Sequence, residues 1–175
     1  MNYYTKLIDF FKRNGINDDR MFKYISNNIT IIDYTIEEQR EIRGLYPKYN
    51  KEQKLIGFIL YIDTRNDETI LLNIRPYIKA ICAYYALGTN YKPSYDIEAE
   101  TLAIHFEKLY LKENPDKNLQ RYLHNIYTNI RKEPSDSKYQ IALQTQEKIE
   151  QTCSNTLSFN TLKEKAKELR LIKNK

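Results

Sequence analysis

The chain has 175 residues, 41% hydrophobic and 29% charged, with a formal net charge of +5. That length favours one domain, 1–175, with a core that needs no metal or disulfide staple. Two cysteines, Cys82 and Cys153, stand outside any C-x-x-C pair; they exclude a disulfide framework and point to a reducing, cytoplasmic compartment.

The longest apolar runs, such as Leu55 to Ile62, fall far short of the ~20 residues of a membrane span. The start, Met1-Asn2-Tyr3-Tyr4-Thr5-Lys6, leads into an amphipathic pattern and not into the apolar segment of a signal peptide. Tyrosine is abundant, 16 residues against 6 Phe and no Trp. A codon bias toward A and T produces this without selection, and tyrosine-rich surfaces also suit protein interfaces. The charge is localised. Residues 160–175 hold six bases (Lys163, Lys165, Lys167, Arg170, Lys173, Lys175) against Glu164 and Glu168, which leaves the other 159 residues at +1. The basic signal therefore belongs to a C-terminal helix and does not describe a whole nucleic-acid groove.

In chain order, Tyr4, Leu7, Ile8 and Phe11 predict a helix over 3–13, which Asn14-Gly15 ends. A short helix over 18–27 carries Met21, Phe22 and Ile25. The β-branched run Ile29 to Tyr34 reads as a strand. Thr35-Ile36-Glu37-Glu38 is a capping box that opens a helix, which Gly44 and Pro47 stop; the pattern of 44–54 fits a loop or an extended helix. Leu55 to Asp63 and Thr69 to Ile74 read as the strands of a β-hairpin around Thr64-Arg65-Asn66-Asp67. Pro76 then suits the first turn of a helix ending near Leu87, before Gly88-Thr89-Asn90.

From Ser94 onward the periodicity is helical. Ala99, Leu102, Ala103, Phe106 and Tyr110 form one face, ended by Asn114-Pro115. Leu119, Tyr122, Leu123, Ile126, Tyr127 and Ile130 form the next. Ser137-Lys138-Tyr139-Gln140 reads as a capping box before Ala142, Leu143, Gln146 and Ile149, and Thr161-x-x-Glu164 as the cap of the last helix. The expected fold is α+β and helix-dominant: N-terminal helices, a small antiparallel sheet with a hairpin, then a C-terminal helical bundle.

Chemistry-bearing motifs are scarce. The chain has no phosphate-binding glycine loop, G-x-S-x-G or H-E-x-x-H. The two histidines, His105 and His124, fall on separate predicted helices, and the acidic run Asp96-Ile97-Glu98-Ala99-Glu100 suits a helix N-terminus. The segment Asn73-Ile74-Arg75-Pro76-Tyr77-Ile78-Lys79-Ala80, followed by Glu98-Ala99-Glu100-Thr101-Leu102-Ala103, resembles the active-site helices of zincin-like metallopeptidases over residues 55–112. In that alignment Arg75 stands for the first histidine, Pro76 for the general base, Lys79 for the second histidine and Glu98 for the acidic ligand. Two cations and a proline neither bind zinc nor activate water. The resemblance therefore implies a degenerate domain without the peptidase chemistry.

The expected function is a non-catalytic protein-interaction module without a cofactor, of the kind phages and mobile elements use to occlude a host or rival protein. One alternative is nucleic-acid binding through Lys163, Lys165, Lys167, Arg170 and Lys173, with Tyr46-Pro47-Lys48-Tyr49 and Tyr91-Lys92 stacking on unpaired bases. The other is a metal-dependent hydrolase with the atypical ligands Glu98, His105 and His124. No membrane partner is expected.

Overall fold

The computed structural model describes residues 3–32, 43–63, 70–152 and 157–171. The protein is a helix-dominant α+β chain, with seven α-helices and a three-stranded mixed sheet among the described residues. Its contacts divide into two compact units, one of residues 1–12 and 17–96, the other of 13–16 and 97–175.

The first unit begins with α1 (Tyr3–Arg13, its final residue outside the unit) and α2 (Asp19–Ser26). Asp18 caps α2 by accepting the Met21 N–H at 3.1 Å, the arrangement that satisfies an otherwise orphaned helix donor. Then follow β1 (Ile29–Ile31), β2 (Gly44–Tyr49), β3 (Leu55–Ile62) and α3 (Ile70–Tyr85). The strand order is β1-β3-β2, with β1 parallel and β2 antiparallel to β3. The sheet is thus mixed, where the sequence suggested an antiparallel one.

The hairpin also lies elsewhere than expected. Residues 44–49, read as a helix stop, form β2 and pair with β3. Asn50 builds the turn: its side-chain oxygen accepts the N–H groups of Glu52 (2.9 Å) and Lys54 (3.0 Å), and Gln53 takes φ 64°. Pro47 is tolerated because β2 is an edge strand, where a missing N–H breaks no ladder on the outer side. Residues 70–74, read as the second hairpin strand, are the first turns of α3, and Pro76 lies inside that helix, buried. The expected helix from 35 and the turn 64–67 fall outside the described residues.

Phe58, Leu60 and Ile62 alternate into the core, where α3 packs on β3 and β2; Ile70, Leu71, Ile74, Tyr77, Ile78 and Ile81 of α3 are buried. Tyr77 is fully buried. Its ring stacks on Phe11 at 5.0 Å and meets Tyr4 and Phe22 at 6.2 Å each.

In the second unit, α4 (Ile97–Glu113) is buried on almost every side and packs on α6 (Lys138–Thr152) and α7 (Phe159–Arg170); α5 (Lys117–Arg131) packs on α6. Ala99 and Ala103 of α4, Ala142 of α6 and Ala166 of α7 are fully buried, and their small side chains allow close helix approach. Two predicted caps differ. Ser158, not Thr161, caps α7 by accepting the Thr161 N–H at 3.3 Å. Gln140 reaches the carbonyls of Arg131 and Glu133, both at 3.2 Å, and Ser137 donates to the Glu133 carboxylate. The apparent capping box before α6 thus ties down the end of α5. Gly15 has φ +96°, and a Cβ there would stand 2.8 Å from the Leu157 carbonyl, so glycine is required.

Candidate functional site

The outward side of the sheet carries Tyr46, Lys48, Ile59 and Tyr61, because side chains alternate along each strand and Tyr46 pairs with Ile59. The Tyr46 and Tyr61 rings meet edge to face at 5.1 Å, and Tyr46 remains 45% exposed. The register shifts by one residue beyond Lys48, pairing Tyr49 with Leu55. That shift leaves Ile56 unpaired and 58% exposed. At the C-terminal end of α3, Tyr24, Tyr84 and Tyr85 form a chain of ring contacts at 5.3 and 5.1 Å. Tyr85 donates its hydroxyl to Asp18 at 2.7 Å. This hydrogen bond holds the Asp18 carboxyl below the usual carboxylate range.

The two tyrosine–lysine segments singled out in the sequence come together. Tyr49 donates its hydroxyl to the Tyr91 carbonyl at 3.0 Å, and the Lys92 ammonium sits 3.5 Å from the Tyr49 ring centroid. Tyr91 in turn donates to the Asp96 carboxylate. One face of Tyr49 is thus already occupied by a cation of its own chain. Tyr95 beside this cluster is 80% exposed.

Lys163, Lys165, Lys167 and Arg170 lie on α7 in the second unit, and Lys173 lies outside the described residues. Arg170 pairs with Glu98 at 2.9 Å and Lys165 with Glu168 at 3.7 Å, so two of the four described cations are internally matched. Arg75, Pro76 and Lys79 lie on α3 in the first unit, whereas Glu98 lies on α4 in the second. Among the described residues, no group of three or more His, Cys, Asp or Glu gathers to hold a metal.

A polar network in the second unit was only partly legible. Gln146 shares a helix face with Ala142, Leu143 and Ile149, and its fully buried amide signals an internal partner. The Lys108 ammonium donates to Gln146 and pairs with Glu150 at 2.9 Å; Gln146 donates to Glu150 at 2.7 Å. Burial works against ionising Glu150, but the Gln146 amide and the Lys108 ammonium hold its carboxyl net below the usual range. His105, on the same helix as Lys108, has a buried Nδ1 without a hydrogen-bond partner. Burial pulls its imidazole below the ordinary value, with Glu150 opposing and Lys108 reinforcing the shift. His124 is exposed on α5.

The unfolded chain takes up a proton on His105 near pH ~6.5, while the folded chain resists it. His105 therefore costs no stability above that pH, and stability falls as pH drops toward the lower folded value. His105→Gln is expected to flatten the loss of denaturation midpoint between about pH 6.5 and pH 5. An unchanged slope in that variant would place the titration elsewhere.

No described helix is long and apolar enough to cross a membrane. Comparison with protein-family models, curated proteins and solved structures finds no match.

Proposed function

We propose that this chain is a non-catalytic protein-interaction module that docks through the first unit, in the manner of small phage or mobile-element proteins that occlude a host or rival protein. The observation that carries this reading is the placement of exposed apolar side chains. Among the described residues, five of the eight exposed large hydrophobic side chains, Ile31, Tyr46, Ile56, Tyr85 and Tyr95, belong to the first unit, and Tyr122, Tyr139 and Leu171 to the second. Tyrosine supplies contact area with little rotamer entropy to lose, which favours protein interfaces.

The nucleic-acid alternative loses weight for two reasons. The basic helix has Lys165 and Arg170 internally paired, and one face of the Tyr49 ring is occupied by Lys92. For the hydrolase alternative, Glu98 is engaged by Arg170, and Arg75, Pro76 and Lys79 supply no zinc-binding lone pair at neutral pH. The degenerate zincin ancestry remains a proposal about descent, with no catalytic role attached.

Site-specific photo-crosslinking from position 46 in native lysate tests the reading. A discrete polypeptide adduct that survives nuclease is the expected product.

A further inference from the structure

We infer that the partner engages the free edge of β1, adding an extended segment to the sheet as a fourth strand. This inference deepens the protein-interaction reading and rests on it.

The argument starts from the main chain. The Asn28 carbonyl accepts the Leu60 N–H, and the Ile32 N–H donates to the Ile62 carbonyl, both at 2.9 Å. In a parallel ladder, alternate residues turn both their polar groups toward the same neighbour. Asn28, Thr30 and Ile32 therefore face β3, and Ile29 and Ile31 turn their N–H and C=O groups the other way. Among the described residues none takes those groups, and Ile31 is 59% exposed.

The two edges of the sheet are guarded differently. β2 carries Pro47 and the exposed Lys48, the devices that discourage another chain from pairing. The run Ile29-Thr30-Ile31-Ile32 carries no proline, no glycine and no charge. Its β-branched side chains favour the extended backbone that a further strand needs.

The occupant follows from the chemistry of the edge. Alternating outward donors and acceptors are matched by the backbone of an extended polypeptide, and an apolar side chain of that segment fits beside Ile31. A second copy of this chain is the weaker candidate. Symmetric pairing of two three-residue edges, about 10 Å each, buries far less than the ~800 Å² per partner of a stable interface. A separate protein brings its own further contacts, and Tyr46, Ile56 and Tyr85 of the same unit offer apolar surface for them.

The test uses a phage-displayed library of random linear dodecapeptides, selected on the intact chain, with two variants. Ile31→Pro removes an outward N–H without breaking a β1–β3 hydrogen bond, so it blunts this edge as Pro47 blunts the other. Ile31→Lys keeps the N–H and decides the matter if the proline variant fails to fold. Enriched peptides are expected to alternate apolar residues, to lack proline, and to slow amide exchange at Ile29 and Ile31. Their binding is expected to weaken about tenfold or more in either folded variant.

Failure to enrich peptides over an unrelated immobilised protein would overturn the inference. So would equal binding to wild type and both variants. A concentration-dependent dimer in sedimentation, abolished by Ile31→Pro, would reassign the edge to a second copy. A protein adduct from position 46 that is indifferent to both variants would overturn this inference and leave the interaction reading standing. Absence of any protein adduct would remove both.

Discussion

Tyr77→Ala is expected to lower the stability of the first unit by about 3–5 kcal/mol, the range for deleting a fully buried aromatic ring. The ring is shared by three elements: Phe11 and Tyr4 from α1, Phe22 from α2, and α3 itself. No single neighbour can collapse into the vacated space without losing another contact, which places the cost toward the upper part of that range. Tyr77→Phe separates packing from hydrogen bonding. It keeps the ring and removes only the contact of 3.2 Å with the Tyr4 hydroxyl, which retains Ser26 at 2.9 Å. Burial pushes the Tyr77 hydroxyl far above its ordinary pKa, so the group lost is neutral. The phenylalanine variant should therefore cost about 1 kcal/mol. Urea denaturation followed by circular dichroism measures both; equal midpoints for the two variants would refute the packing account.

The second large effect is expected at Asn73. This side chain is fully buried and serves one residue twice. Its oxygen accepts the Asp63 N–H at 3.1 Å, and its amide donates to the Asp63 carbonyl. The end of β3 is thereby fixed to the first turn of α3. Asn73→Leu leaves two main-chain groups without their partner, at about 1–3 kcal/mol each if they remain buried. Asn73→Asp is expected to be at least as harmful despite its matching shape. A carboxylate still accepts the N–H, but its other oxygen then faces the carbonyl where a donor stood, and ionising it in the interior is unfavourable. The same denaturation experiment tests this. An Asp variant as stable as wild type at neutral pH would show that Asp63 finds solvent or another donor when the amide is removed.

Asn73 lies in a segment whose local pattern does not distinguish strand from helix. Thr69 to Ile74 is a short apolar run, and a run of six residues fits a strand and a buried helix equally well. Pro76 suits a helix start, which leaves the preceding residues to a strand. In the structure the buried residues Ile70, Ile74, Tyr77, Ile78 and Ile81 continue through the proline, and their burial outweighs the missing hydrogen bond. Pro47 misled in the opposite sense: it read as a helix stop, whereas an edge strand accommodates it. Neither outcome is local information, because each depends on which element lies alongside. The amphipathic helices were legible for the converse reason. Met21, Phe22 and Ile25 in α2, and Leu123, Tyr127 and Ile130 in α5, repeat at helical spacing and are the buried residues of those helices.

Legibility of the candidate site followed the same division. Composition pointed to tyrosine, and Tyr46-Pro47-Lys48-Tyr49 and Tyr91-Lys92 stood out as segments. Their meeting through the Tyr49 hydroxyl and the Lys92 ammonium depends on the pairing of β2 with β3, which the sequence did not reveal. The outward position of Ile56 arises from a one-residue register shift that no propensity encodes. The lysines of α7 were visible as a charge run, but their partners were not: Glu98 lies more than seventy residues from Arg170 in sequence.

The most direct test of the central claim is photo-crosslinking in native lysate from four positions, with and without nuclease. Positions 46 and 56 sit on the tyrosine-rich unit, while His124 on α5 and Lys167 on α7 are exposed controls in the other. A discrete protein adduct from 46 and 56, unaffected by nuclease and missing from 124 and 167, is the predicted result. Adducts confined to 167 that vanish on nuclease treatment would contradict it and transfer the function to the basic helix.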